Sequence, residues 1–174
     1  MSKPQQHTST PTIRPLDTDD LDAVLDLSIA AWQPVFDSFA KILGSSIFDH
    51  LYAPDWENSQ RNNVKRVCLE KGVEPFVVVT ENGGVAGYLA LAHDTESDIG
   101  IVEQIAVHPD HQRRGYARAL MEFAIERFQS KEVMFANVGT GGDPGHAPAR
   151  ALYEAVGFTA LPLVNYYMTI EWAR

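Results

Sequence analysis

Apolar positions recur at helical spacing up to about residue 70, and then the period changes. Thr12 to Arg14, just ahead of Pro15, predict a short first strand. Asp17-Thr18-Asp19-Asp20 predicts a helix start, because acidic residues suit the positive helix N-terminus and Asp17 or Thr18 can cap it. Leu21, Val24, Leu25 and Ser28 to Trp32 follow at helical spacing. Pro34 predicts an interruption, and a second helix then carries Phe36, Phe39, Leu43, Ile47, Phe48 and Leu51. After Pro54, Asp55 caps a third helix that runs to about Lys71 and stops at Gly72.

From Pro75 the pattern is that of strands. Pro75 to Thr80 is apolar and β-branched, Glu81-Asn82-Gly83-Gly84 is a hairpin turn, and Val85 to Ala92 is the partner strand. Asp94 to Asp98 reads as a polar loop, and Ile101 to Val107 as a strand ended by His108-Pro109-Asp110. Residues 116–129 give the clearest helix, with Ala117, Leu120, Met121, Ala124, Ile125 and Phe128 on one apolar face. Val133 to Val138 is a strand. The Gly-rich loop Gly139 to Gly145 leads into a short helix from about Pro148 to Val156, ended by Gly157. Phe158 to Val164 and Tyr166 to Trp172 read as two last strands. The order predicts a single-domain α/β fold, a mixed β-sheet flanked by helices, with a right-handed parallel crossover over 101–138.

Composition narrows the function classes. A chain of 174 residues suits one domain, here 12–174 behind a polar tail at 1–11. With 45% hydrophobic and 21% charged residues it is neither disordered, collagenous nor a coiled coil. No apolar run reaches the ~18 residues of a membrane span, so no membrane partner is expected. A net charge of −9 argues against a nucleic-acid partner. The single cysteine, Cys68, cannot form an internal disulfide. The first eleven residues lack the apolar stretch of a secretory signal, so the expected location is cytoplasmic.

The stretch from Ile101 to Ala117 carries the chemistry: a strand, a tight loop, then a helix N-terminus. Such a turn points several backbone N–H groups at one spot and binds phosphate without needing a charged side chain. Gly115 lets the backbone approach closely, and Arg113 and Arg114 add positive charge. The Gly-Lys-Ser/Thr ending of a Walker loop is missing, and only one of the three glycines of a dinucleotide fingerprint is present. His108 and His111 have His-x-x-His spacing, but Pro109 opposes a helix there, and no metal site is expected. Asn137 ends its strand where it can contact a ligand, and Asp143 and His146 either touch a ligand or serve ordinary turn chemistry. Trp32, Phe36, Phe39, Phe48, Tyr52 and Trp56 form an aromatic set at helical spacing, the pattern of a core.

Gln112-Arg113-Arg114-Gly115-Tyr116-Ala117 resembles the Gln/Arg-x-x-Gly-x-Gly/Ala signature of the GNAT N-acetyltransferase superfamily. Ile105 to Pro109 resembles that family's preceding strand and turn. Ala149 to Phe158, with Tyr153 and then Gly157-Phe158, resembles its second motif. The element order agrees along nearly the whole chain. In two places the chain departs: His146 stands where many members have Asn, and the loop Gly139 to Gly145 is longer than usual.

The resemblance implies an acetyl-CoA-dependent N-acetyltransferase with a cleft between two splayed parallel strands, here those ending at Val107 and starting at Val133. Backbone groups of Ile105, Ala106 and Val107 would pair with the pantetheine amides, and the N–H groups of Gln112, Arg113, Arg114, Gly115, Tyr116 and Ala117 would hold the pyrophosphate. An N–H near Val107 would stabilise the oxyanion. The acceptor is a primary amine on a small molecule or a peptide, the small molecule favoured, and CoA is the product. Glu103 is the candidate general base: in a regular strand it shares a face with Ile105 and Val107. Tyr153 is the candidate acid for the CoA thiolate. The aromatic helices would form one wall of the acceptor site. Small residues at Ala106 and Ala136 leave room for a longer acyl group. The strand with Tyr166 and Tyr167 pairs either within the chain or across a homodimer. The rival readings are a non-catalytic acyl-CoA-binding module on the same fold and a nucleotide-phosphate-binding module using 112–117.

Overall fold

The computed structural model describes residues 11–52 and 55–170; the tail expected at 1–11 lies, apart from its last residue, outside them. Strand β1 (Thr12–Pro15) leads through a 3-10 turn at Thr18–Asp20 into α1 (Leu21–Tyr52), followed by α2 (Trp56–Leu69). Then come β2 (Glu74–Val79), β3 (Val85–Asp94), β4 (Ile99–Val107), α3 (Tyr116–Ser130), β5 (Phe135–Val138) and α4 (Ala147–Ala155). The strands form one sheet in the order β1-β2-β3-β4-β5. All neighbours are antiparallel except β4 and β5, which run parallel across the α3 crossover.

The alternation of strand side chains divides the core between two sides of the sheet. Phe76, Val78, Leu89 and Leu91 meet Leu120, Met121, Ala124 and Phe128 of α3. Val77 and Tyr88 meet Val24, Leu27, Val64 and Cys68 of α1 and α2. The β2–β3 turn closes as the sequence predicts, with the Gly83 N–H donating to the Thr80 carbonyl at 2.9 Å and Gly83 at φ +82°. At the start of α1, Asp20 accepts from the Asp17 N–H at 2.9 Å and takes both Arg14 guanidinium nitrogens, at 2.5 and 2.8 Å. That pairing ties the helix start to β1.

Two local expectations are corrected. Pro34 does not interrupt the helix: α1 runs through it, and the break comes at Gly44 (φ +72°, ψ 165°), where a left-handed backbone costs glycine little. A proline removes one N–H and crowds one carbonyl, which a long packed helix absorbs; a positive φ cannot be absorbed. The two last strands do not form either. Residues 158–170 carry no strand pairing, and 171–172 lie outside the described residues.

Cys68 sits in the core, and burial pushes its thiol up from 9.0 to about 11. The folded state therefore favours the neutral thiol. That contribution is complete below pH 9 and lost as pH rises through 11. Two pH units correspond to about 2–3 kcal/mol. Urea unfolding at stepped pH should show a stability decline across that window in the wild type and a flatter one in Cys68→Ala.

Candidate active site

A cleft of about 530 Å³ opens between the ends of β4 and β5. Its origin is in the register. β4 pairs with β5 only from Ile99↔Phe135 to Val102↔Val138. On its other edge β4 pairs with β3 throughout, but Ala90 faces Gln104 while Leu91 faces Val102, so Glu103 is an extra residue. This is a β-bulge, which bends a strand and increases its local twist. From Glu103 to Val107 the β5-side edge of β4 has no neighbouring strand among the described residues.

The bulge corrects the parity expected for Glu103. Val102, Ile105 and Val107 pack on the α3 side, and a Cβ at Gly100 would run into the Phe128 ring on that same side. Ala106 packs on the α1 side, as does Gln104, whose Oε1 accepts from the buried Tyr88 hydroxyl at 2.7 Å. Glu103 continues the alternation of Gly100 and Val102, so it shares the α1-side face with Gln104 and Ala106, not the face of Ile105 and Val107. It is exposed and lines the cleft.

Below this edge lies the start of α3. Its N-cap, Gly115, has φ +86° and offers no capping side chain, and the first turn holds no acidic residue. The first N–H groups of a helix lack intrahelical partners. Here the usual side-chain acceptors are missing, and Arg113 (φ +62°) and Gly115 turn the loop into the cleft. The Gln112 side chain donates to the Val107 carbonyl at 3.1 Å and pins the loop to the strand end. His111 Nδ1 is buried at the cleft wall with no hydrogen-bond partner among the described residues. This donor-rich mouth fits an anionic group.

Opposite stands Tyr153, 8% exposed, with burial pushing its phenol up to about 12. The sequence around it sets its place. Gly157 at φ +102° ends α4; the Phe158 N–H donates to the Tyr153 carbonyl at 3.0 Å and the Gly157 N–H to Glu154 at 3.1 Å. This is a Schellman end, and its expected apolar contact is the Tyr153–Phe158 ring pair, 6.3 Å apart. The Gly-Phe pair thus orients the tyrosine from below.

The Gly-rich loop contributes a pair whose role the sequence left open. Asp143 takes the Gly145 N–H at 2.8 Å and also His146 Nδ1. Both side chains are nearly buried, at 7% and 13% exposure. Burial raises the Asp143 carboxyl, but His146 and Ser38 outweigh it and hold the group below its ordinary range. Arg150 donates to the Gly141 and Asp143 carbonyls at 2.5 and 2.8 Å, which fastens the loop to α4. A Cβ at Gly145 would clash with Val35 Cα and the Pro34 carbonyl, so only glycine lets the loop lie against α1. His146 then meets Trp32 edge to face at 5.7 Å. The only signal for this pair in the sequence was its Asp-x-x-His spacing.

Of the residues singled out by sequence, Glu103, Ile105, Ala106, Val107, Gln112, Arg113, Gly115, Tyr116, Ala117 and Tyr153 line the cleft, while Arg114 and Asn137 do not. Sequence reading did not place Ala31, Pro34, Val35 and Leu152 on its wall. Trp32 reaches it, and behind Trp32 the rings of Phe36 and Trp56 stack at 4.1 Å; of the aromatic set Phe36 is buried and Trp32 alone lines the cleft. Among the described residues no cluster of His, Cys, Asp or Glu could hold a metal ion, and no helix is long and apolar enough to cross a membrane.

Comparison with known proteins places this architecture. Residues 32–158 match the acetyltransferase (GNAT) family. The chain is 34% identical over 94 residues to the ribosomal protein bS18-alanine N-acetyltransferase of Escherichia coli K12, a match covering 53% of this chain and 61% of that protein. It is 30% identical over 139 residues to the mycothiol acetyltransferase of Clavibacter sepedonicus, covering 70% and 43%. The chain therefore spans less than two thirds of the length of these relatives. The crystal structure of the E. coli ribosomal-protein-S18-alanine N-acetyltransferase superposes with a TM-score of 0.62 at 27% identity, over 91% of this chain and 84% of that one. A GNAT-family acetyltransferase from Staphylococcus aureus Mu50 shares the fold at 11% identity, TM-score 0.65, over 87% and 86%.

Proposed function

The chain belongs to the acetyltransferase (GNAT) family, and from that premise we propose that it transfers an acetyl group from acetyl-CoA to a primary amine by direct attack within a ternary complex. The observation that carries this reading is the unpaired edge of β4, from Glu103 to Val107, beside the uncapped start of α3 and within one cleft with Tyr153. Backbone groups on this edge, apart from the Val107 carbonyl that Gln112 holds, accept an extended amide chain as they would a strand, which suits pantetheine along Ile105, Ala106 and Val107. The helix start, with Gln112, Arg113, Gly115, Tyr116 and Ala117, suits the pyrophosphate, and Arg114 adds charge from outside the cleft wall. The bound thioester supplies the activated acetyl group.

The chain's own residues handle the protons. An amine nitrogen attacks the thioester carbon, the C–S bond breaks, and the nitrogen's surplus proton must leave. Glu103, at the bulge on the cleft wall, receives that proton directly or through water. Tyr153 gives its hydroxyl proton to the departing CoA sulfur; a buried neutral phenol is a donor throughout the working pH range. A second reading gives the base role to His146. Its favouring observation is that Asp143 holds Nδ1, which leaves Nε2 as the nitrogen able to accept.

The acceptor we favour is a small-molecule amine entering past Trp32. The likeness to a ribosomal protein alanine N-acetyltransferase supports a peptide amine as the alternative. Release of free CoA thiol from acetyl-CoA, followed with a panel of small amines and an alanine-initiated peptide, tests the reading. Turnover with one class names the acceptor. Acetyl-CoA binding without turnover on any amine would replace the enzyme with a non-catalytic acyl-CoA-binding module.

A further inference from the structure

The β4 bulge puts two successive side chains, Glu103 and Gln104, on one face of the sheet and against one cleft. Gln104 is 8% exposed, and its Oε1 accepts from the hydroxyl of the fully buried Tyr88. That bond fixes which way the amide points. A buried phenol needs an acceptor for its proton, so the oxygen turns to Tyr88 and the NH2 group turns away from it. Nε2 has no partner among the described residues, and it is not one of the atoms sealed inside the protein. What it faces is the cleft that Gln104 lines. Buried polar groups are normally hydrogen-bonded, and an unspent donor on a cleft wall points to a ligand. From α2, Asn63 lines the same cleft with a second primary amide. Its Oδ1 accepts from Arg66 at 3.1 Å, which again leaves the NH2 group as the unspent end among the described residues.

The charges of the cleft are divided. Arg113 and Arg118 belong to the start of α3, the end that suits the pyrophosphate. The described lining residues on β4, α1 and α2 include no lysine, arginine or histidine, and Glu103 adjoins Gln104. A substrate carboxylate at Gln104 would therefore meet a like charge with no cation to offset it. We propose that Gln104 recognises the acceptor: its Nε2 donates to an uncharged carbonyl oxygen next to the amine-bearing carbon, so the acceptor is an α-amino amide. This rests on the acetyltransferase reading above and narrows it from amines at large. Glu103 receives the proton of the attacking nitrogen, and Gln104, ~3.8 Å further along the chain, holds the neighbouring oxygen. A free amino-acid amide and the first residue of a peptide share this chemistry.

CoA-thiol release by the full chain tests it with alaninamide, an alanine-initiated peptide, alanine and 3-methyl-2-butylamine, which replaces the carboxamide with an isopropyl group. Alaninamide or the peptide should be preferred in kcat/KM, whichever is the better naming the source of the carbonyl. Gln104→Leu alone leaves the Tyr88 hydroxyl orphaned, so it is combined with Tyr88→Phe, which removes both buried partners together. The preference for alaninamide over the alkylamine should fall about tenfold or more in this double variant; read as a ratio, it cancels any general loss of rate. Nitrogen-15 NMR of the CoA complex gives a readout apart from turnover. The Gln104 side-chain NH2 signals, identified by their loss in the double variant, should shift with alaninamide and not with the alkylamine. Turnover of amines with an unchanged preference in the double variant would overturn the proposal and leave the enzyme standing. Alanine used as well as alaninamide would also overturn it, as would Gln104 signals that do not move. Gln104 signals that shift with alaninamide in a protein that turns over no amine would support this contact while ending the enzyme reading.

Discussion

Tyr153→Phe should lower kcat by roughly 10²-fold or more while leaving acetyl-CoA affinity within a few-fold, as expected for loss of a general acid. The phenylalanine ring keeps the packing against Phe158, so the Schellman end of α4 and the cleft wall survive. What goes is the hydroxyl proposed to protonate the departing sulfur. The sign of the pH effect is fixed by burial. The folded state favours the neutral phenol, with its pKa raised to about 12. That contribution to stability is complete below about pH 10 and lost as pH rises through 12. Tyr153 therefore adds no ionisation to the rate profile between pH 6 and 9, and the variant's profile should have the wild-type shape at a lower height. Steady-state rates combined with equilibrium binding check this. A rise in KM for acetyl-CoA at unchanged kcat would make Tyr153 a packing residue.

The second large effect separates the two proton acceptors. Glu103→Gln should reduce kcat by about 10²-fold and flatten its pH dependence, with acetyl-CoA binding intact, because the backbone edge that would hold the pantetheine is untouched. His146→Gln keeps a polar group of similar reach but loses the imidazole. With Glu103 as base, it should raise KM for the amine and leave the shape of the profile alone. The reverse pattern, a flattened profile in His146→Gln and a normal one in Glu103→Gln, would move the base to the Asp143–His146 pair. Asp143→Asn would then reproduce the His146 effect.

The fold was legible wherever local chemistry and tertiary packing agree. The six apolar positions from Ala117 to Phe128 predicted α3 within one residue of its end, and Asn82-Gly83-Gly84 predicted the hairpin. Gly44 carries no such signal, because a glycine permits a positive φ without requiring one. The two strands expected at Phe158 to Val164 and Tyr166 to Trp172 do not form over the described residues 158–170, because an apolar pattern makes a strand only where it is paired. Within the site, the loop at 112–117 was visible because a helix start and a glycine suffice to describe it. The bulge at Glu103 was not. An extra residue in one strand shows only against its partner, here the step from Ala90 to Leu91 opposite Gln104 and Val102. The His146–Trp32 contact was likewise hidden, because it forms where Gly145 lies against Pro34 and Val35, more than a hundred residues away in the chain.

The open β4 edge and the start of α3 are proposed together to seat a CoA thioester. Thermal unfolding of the full chain with acetyl-CoA, CoA or ATP is the first measurement to make. Ligand at a hundredfold excess over its dissociation constant adds ~2.7 kcal/mol, which raises the unfolding midpoint of a chain this size by roughly 5–10 °C. Acetyl-CoA and CoA should each give such a rise and ATP little change, since ATP offers phosphates to the helix start but no chain for the strand edge. An equal rise with ATP would reduce the site to a nucleotide-phosphate cradle, and no rise at saturating acetyl-CoA would mean that the cleft does not hold a CoA thioester.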